Sequence, residues 1–273
     1  MPTFMDHWPL HARNWARVGP PLRPCAEDIA LTERTIATWQ DGRGARPVRG
    51  LVLGATPELV GMTWPEGASV LAVDRERAML DALFVPGRGR AAVTGDWLAL
   101  PLDAGTIEIV VGDGCLTLFA FPGTYAAFAA ELARVLTPEG LLLLRLFVAP
   151  DRPEPLAAIA RSLASPDPGD TFDALKWRIA MAIQPASRTV RVADIRAAFD
   201  ELVPDRAALA ARTGWRRDVI DHIDVYRDSS ATYSFPTLDE TRAALAPALV
   251  ERACHVPTYP LGDRCPTLVL ARR

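Results

Sequence analysis

Gly95-Asp96-Trp97-Leu98-Ala99-Leu100-Pro101-Leu102-Asp103-Ala104-Gly105-Thr106-Ile107-Glu108-Ile109-Val110-Val111-Gly112-Asp113-Gly114-Cys115-Leu116 is the stretch that decides the fold. Its second half, Thr106 to Asp113, is an apolar run of strand length that ends on an acid. Two similar runs lie upstream. VRGLVLGATPELV (48–60) ends its apolar part at Gly54, and SVLAVDRERAML (69–80) ends at Asp74. EGLLLLRLFV (139–148) follows downstream. Each run reads as a short buried strand followed by a turn and helical spacing, the alternation that builds a parallel sheet with helices on both faces. The expected strands are 48–54, 68–74, 91–94, 106–113 and 141–147, with a helix over 121–136. Ligands in such sheets bind beyond the carboxyl ends of the strands. Gly54, Asp74, Asp96 and Asp113 all fall there.

Outward from this core, residues 1–47 form an N-terminal helical segment. AEDIALTERTIATWQ places Ile29, Ile36 and Trp39 on one face. Thr56-Pro57 opens a helix after the first strand, with threonine as cap and proline at the first position. Residues 48–150 make the core. After Pro150, PLAAIARSLA, FDALKWRIAMAI, VRVADIRAAFDEL and DRAALAARTGW are helical in pattern. That is too much helix for one crossover, so 151–233 is read as an inserted cap. Residues 234–273 return to the core. Thr237-Leu238-Asp239-Glu240 resembles a capping box, and VERACHVP and CPTLVLAR make a closing pair of strands.

The 273 residues carry a net charge of −3, which gives no reason to expect nucleic acid as partner. Lys176 is the only lysine, and the four cysteines are scattered without a C-x-x-C pair, so neither zinc nor a disulfide framework is suggested. The first residues do not resemble a signal peptide, and no apolar stretch reaches membrane-spanning length. A reduced cytoplasm is the expected location; a membrane partner is not expected. Oligomeric state stays open, a homodimer included.

Gly54, Ala55 and Thr56 form a strand-to-helix turn of the kind that offers free amides to a carboxylate or phosphate. Any α/β protein needs a similar turn, and the G-x-G-x-x-G fingerprint is absent. Asp74 stands 20 positions after Gly54, where a second-strand acid meets ribose hydroxyls; Arg75 follows it. As a plain alternative, Asp74 caps a helix. Asp96 next to Trp97 sets a hydrogen-bond acceptor beside a flat apolar face, which suits an adenine ring; Trp97 could equally be core.

Taken in order, these features resemble the class I S-adenosylmethionine-dependent methyltransferases. GDWLALPLDAGTIEIVVGDGCL is similar to that family's D-x-x-x-L-P stretch leading into the fourth strand, TPEGLLLLRLF to its turn into the fifth, and CPTLVLAR to its antiparallel seventh. The resemblance implies a Rossmann-like doubly wound sheet, mostly parallel with an antiparallel final strand, that binds S-adenosylmethionine. By position, it implies that Gly54, Ala55, Thr56, Asp74, Arg75, Asp96 and Trp97 contact this cofactor. Asp113 and Gly114 would face its methionine end. The first turn departs from the pattern: the family's G-x-G-x-G is here Gly54-Ala55-Thr56-Pro57-Glu58.

Methyl transfer asks the protein mainly to position and desolvate a nucleophile. The catalytic group stays unassigned, with Asp113 and His222 the two candidates. His7 and His11 lie four apart and could share a helix face, but no third ligand for a metal is identifiable. His255 reads as structural. Trp8, His11 and Trp15 are the expected substrate contacts, with the N-terminal segment and the cap closing over a small-molecule acceptor. The alternatives are a non-catalytic binding or partner protein of the same fold and, last, a nicotinamide-dependent oxidoreductase.

Overall fold

β1 (Arg49–Leu53) is an inner strand of a seven-stranded sheet, and its Leu51, Val52 and Leu53 are buried. It pairs in parallel with β2 (Ser69–Asp74) on one side and β4 (Ile107–Asp113) on the other. Apolar side chains on both faces, rather than alternation, mark strands covered by helices above and below. β3 (Arg90–Thr94) extends the sheet beyond β2, and β5 (Leu136–Arg145) beyond β4. β9 (Thr267–Arg272) then runs antiparallel to β5, and β8 (Leu249–His255) antiparallel to β9. The order is β3-β2-β1-β4-β5-β9-β8. The chain leaves β1 toward one edge and β4 toward the other, so the crevice between Gly54 and Asp113 is the topological switch point.

This computed structural model describes residues 12–44, 46–165 and 171–273. Short helices follow β1 and β2, at Pro57–Gly61 and Arg77–Leu83. A longer one, Gly123–Val135, packs Tyr125, Phe128 and Leu132 on the sheet. The other face is covered by the helix Ala26–Asp41, which buries Ile36 and leaves Ile29 and Trp39 half-buried. Two expectations need correction. β5 starts at Leu136, five residues before the expected 141, because the helix Gly123–Val135 passes straight into the strand. Leu136 pairs with Ile107, the register shifts across Thr137–Gly140, and pairing resumes at Leu141 with Ile109. TPEG is thus a bulge inside a strand rather than a turn before one. Thr56 also makes no side-chain cap bond at the short helix it precedes, although Pro57 takes the first helical position.

The region after β5 has its own apolar interior. Helices Leu156–Leu163, Phe172–Ile183, Val192–Leu202, Arg206–Thr213 and Arg217–Asp221 enclose Phe172, Trp177, Phe199, Tyr226 and Phe235. VRVADIR was expected to be wholly helical. Instead β6 (Thr189–Arg191) pairs antiparallel with β7 (Thr232–Ser234), a ribbon too short for a period of two to be legible. The helix Leu238–Leu245 opens on the capping box read from sequence: Glu240 N–H donates to Thr237 Oγ1 at 3.2 Å, and Thr237 N–H to Glu240 Oε2 at 2.7 Å. Among the described residues no helix is long and apolar enough to cross a membrane.

Candidate functional site

The carboxyl ends of β1 and β2 are tied together before any ligand is considered. Gly54 has φ +97°, a conformation that side chains resist, and its N–H donates to Val73 O at 2.8 Å. The Trp97 indole N–H donates to the same carbonyl at 2.6 Å, which lays the ring beside Gly54. Asp74 is buried. Its Oδ1 accepts the Glu76 N–H at 2.8 Å, and its Oδ2 lies on the Gly54 side. Burial pushes the Asp74 carboxyl up to about 6, against the opposing Glu76 amide. Arg75 is largely exposed and forms a 3.5 Å ion pair with Glu76.

Asp96 is exposed, with Oδ1 accepting the Leu98 N–H at 2.9 Å in a tight turn. Trp97 meets Phe119 edge-on at 6.2 Å. A hollow of about 70 Å³ opens between Asp96, Trp97, Phe119, Leu118, Arg75 and Asp74. A second cavity, about 120 Å³, shares Asp74, Trp97 and Leu118 as walls. Gly54, Ala55 and Thr56 line it from the first turn, and Asp113 and Gly114 from the end of β4. Trp15 and Leu22 contribute from the N-terminal segment, and Trp177, Tyr226 and Tyr233 from the cap.

The N-terminal segment is held at this mouth by hydrogen bonds to the cap and to β5, among others. Gly19 N–H donates to Asp173 Oδ2 at 2.5 Å, Thr171 Oγ1 to Pro20 O at 2.6 Å, and Arg145 Nη2 to Pro21 O at 2.9 Å. Of the expected substrate contacts, Trp15 lines the cavity, while Trp8 and His11, together with His7, lie outside the described residues. His222 is a correction. It is buried within the cap and is absent from the cavity wall, because the 3-10 turn His222–Tyr226 brings Tyr226, four residues on, to that wall instead.

Asp113 is not a free acid. Arg145 Nε donates to its Oδ1 at 2.7 Å, both side chains are buried, and the same guanidinium reaches Tyr259 Oη at 3.1 Å and lies 3.9 Å from Asp28. Tyr259 Oη in turn donates to Asp28 Oδ1 at 3.0 Å. Burial drives the Asp113 carboxyl up to about 6, and Arg145 opposes that shift. The carboxylates around it hold Arg145 firmly protonated. Sequence reasoning missed Arg145, although a lone charge inside LLLLRLF was the signal available. It also missed Phe147, Trp177, Tyr226 and Tyr233, whose spacing reads only as core.

Gly114 has φ +63°, and a Cβ there would stand 2.5 Å from Phe147 Cε2. Gly114→Ala is expected to displace the Phe147 ring and destabilise the fold by about 1–3 kcal/mol. Thermal unfolding with near-ultraviolet circular dichroism would report both effects; an unchanged spectrum and midpoint would contradict the packing. Among the described residues no group of three or more histidine, cysteine or acidic side chains could hold a metal ion.

Neither a family model nor a curated protein sequence matches this chain. Solved structures do match its shape. A Rhodobacter sphaeroides protein whose name proposes a zinc-dependent alcohol dehydrogenase aligns over 98% of this chain and 97% of its own, with TM-score 0.66 and 14% identity. PH0226 from Pyrococcus horikoshii OT3 aligns over 95% and 99%, with TM-score 0.52 and 12% identity. The CurJ carbon methyltransferase aligns over 92% of this chain and 56% of its own, with TM-score 0.50 and 11% identity. At these identities the likeness is one of fold. Together with the strand order, it is the fold of the class I S-adenosylmethionine-dependent methyltransferases.

Proposed function

From the class I methyltransferase fold that this chain carries, we propose that it transfers a methyl group from S-adenosylmethionine to a small-molecule acceptor. The observation that carries the reading is Asp74: a buried carboxylate at the end of β2, one oxygen turned toward Gly54, lining both hollows. The residues present fit the cofactor. Asp74 would accept from ribose hydroxyls, and Asp96 from an adenine amine in the smaller hollow, against Trp97 and Phe119. Gly54, Ala55, Thr56, Asp113 and Gly114 would border the methionine part. Bound there, the cofactor supplies a methyl group already activated on a sulfonium. The protein's own work is then to orient the acceptor and exclude water, which the N-terminal segment and cap do by closing the larger cavity.

The acid–base state of Asp74 makes this testable by pH. Its carboxyl accepts two ribose hydroxyls strongly only when ionised, since protonation turns one oxygen into a donor, and its pKa is raised to about 6. Cofactor affinity is therefore expected to be full above about pH 7 and to fall roughly tenfold by pH 5. Calorimetric titration across that range reads the effect, and the dependence should vanish in Asp74→Asn. An affinity that rises toward acid pH would contradict the assignment.

A second reading has an observation in its favour. Trp97 is hydrogen-bonded across the crevice, and the first turn lacks the two further glycines that give a backbone close approach to a ligand. A protein of this fold that binds without turnover would look the same. Incubation with labelled S-adenosylmethionine and a panel of acceptors separates the two: labelled product supports transfer, while tight binding with no product across the panel supports the binding protein. Binding of NAD in preference to S-adenosylhomocysteine would overturn both.

A further inference from the structure

We infer that the larger cavity selects a positively charged group, so that it holds the sulfonium of the methyl donor in preference to the neutral thioether left after transfer. Naming these two ligands rests on the methyl-transfer reading; the preference for positive charge rests on the walls. Two carboxylates, Asp74 and Asp113, line the cavity, and among the described residues no lysine, arginine or histidine does. Six rings share the wall with them: Trp15, Trp97, Phe147, Trp177, Tyr226 and Tyr233.

The two carboxylates differ in how far the protein neutralises them. Arg145 matches Asp113 at 2.7 Å. Asp74 makes no ion pair among the described residues: one oxygen takes the Glu76 amide, and Arg75 pairs with Glu76 instead. Once ionised, Asp74 therefore leaves a net negative charge at the wall. Protein cations do stand behind three of the rings, Arg23 at 5.4 Å from Trp15, Arg145 at 5.1 Å from Phe147 and Lys176 at 5.6 Å from Tyr226. Each is paired with its own carboxylate, Glu58, Asp113 and Asp173 respectively, so none brings a net positive charge to the cavity. A buried charge is costly unless it is compensated. For a cation, Asp74 and the ring faces compensate, and ring faces attract cations most strongly where water is excluded. For an anion, no lining side chain offers an opposite charge. A neutral atom gains from neither.

The methyl-transfer reading supplies a ligand pair that isolates this charge. When the methyl group leaves, the sulfur keeps the bonding pair and becomes a neutral thioether. The adenine, the ribose and the amino-acid end are common to donor and product, so their contacts cancel in a comparison of the two. Trp177 is the ring that reports on the wall. It is buried, and it is reached from the end of β4 in two steps, since Phe147 packs on Gly114 and meets Trp177 edge-on at 5.2 Å.

Calorimetric titration of the full chain at pH 7.5 with S-adenosylmethionine, sinefungin and S-adenosylhomocysteine tests this. Sinefungin places an ammonium where the donor has its sulfonium and has no methyl group to transfer, which separates charge from the extra methyl. Both cationic ligands are expected to bind at least fivefold more tightly than S-adenosylhomocysteine. Asp74→Asn should weaken all three through the shared ribose, and the two cations at least threefold more than the neutral ligand. Trp177→Leu should also narrow the gap at least threefold, and Trp177→Phe, which keeps a ring face, should retain most of it. Should Trp177→Leu fail to fold in a thermal melt, the ligand series and Asp74→Asn decide alone. S-adenosylhomocysteine binding as tightly as the cations, or a gap that survives both Asp74→Asn and Trp177→Leu, would overturn the inference and leave methyl transfer standing. If none of the three binds, the cofactor reading falls, and tetramethylammonium against the similarly sized neutral tert-butanol reads the cavity by itself: preference for the ammonium keeps the charge selection, and equal binding removes it.

Discussion

Asp74→Asn is expected to weaken S-adenosylmethionine binding by ten- to a hundredfold while leaving the fold no less stable than wild type. The side chain has two jobs that this substitution separates. Oδ1 holds the Glu76 amide at 2.8 Å, and an asparagine oxygen can keep that bond. Oδ2 is the proposed acceptor for ribose hydroxyls, and an amide nitrogen there turns an acceptor into a donor. Hydrogen bonds to a charged group contribute about 1.5–3 kcal/mol each, and 1.4 kcal/mol is about tenfold in affinity. Stability should move the other way. The folded-state pKa of Asp74 lies above its unfolded value, so ionising it costs stability as pH rises through 4 to 6. At pH 7.5 the neutral amide removes that cost. Titration calorimetry and a thermal melt on one preparation decide the matter: equal affinities would remove Asp74 from the cofactor site, and a lowered midpoint would make its role structural.

Arg145→Met should be the most damaging single change to stability, at about 3–5 kcal/mol, because it strands buried partners. Asp113 and Asp28 are nearly inaccessible, and the Tyr259 hydroxyl and Pro21 carbonyl also depend on the same guanidinium. Without Arg145, burial and the Asp28 and Glu58 carboxylates all push the Asp113 pKa further upward. A carboxyl raised in the folded state favours folding at low pH and disfavours it at high pH. The variant should thus lose more stability at pH 8 than at pH 5. Adding Asp113→Asn should restore part of the loss, since removing both members of a buried pair is far milder than removing one. Urea unfolding at the two pH values measures this. A loss independent of pH, with no recovery in the double variant, would mean that Arg145 acts through its packing on Phe147 rather than through charge.

The parallel core was legible because buried strands write themselves as contiguous apolar runs, and VRGLVLG, SVLAVD and TIEIVVGD are such runs. Their ends were legible too: Gly54, Asp74, Asp96 and Asp113 are polar or glycine residues where apolar pattern stops, and topology alone brings strand ends to one edge. Where the pattern is local, as in the capping box Thr237–Glu240, the residues also suffice. What depends on distance in the chain was not legible. Nothing near Asp113 in sequence says that Arg145, 32 residues on, neutralises it, or that Asp28 and Tyr259 complete the network. Trp177, Tyr226 and Tyr233 carry the same apolar spacing as any cap core, and His222 looked the better site candidate because it can titrate. Which of them faces the cavity depends on how a 3-10 turn is rotated against its neighbours, and that rotation is settled by side-chain packing among segments far apart in sequence, for which a one-dimensional pattern holds no term.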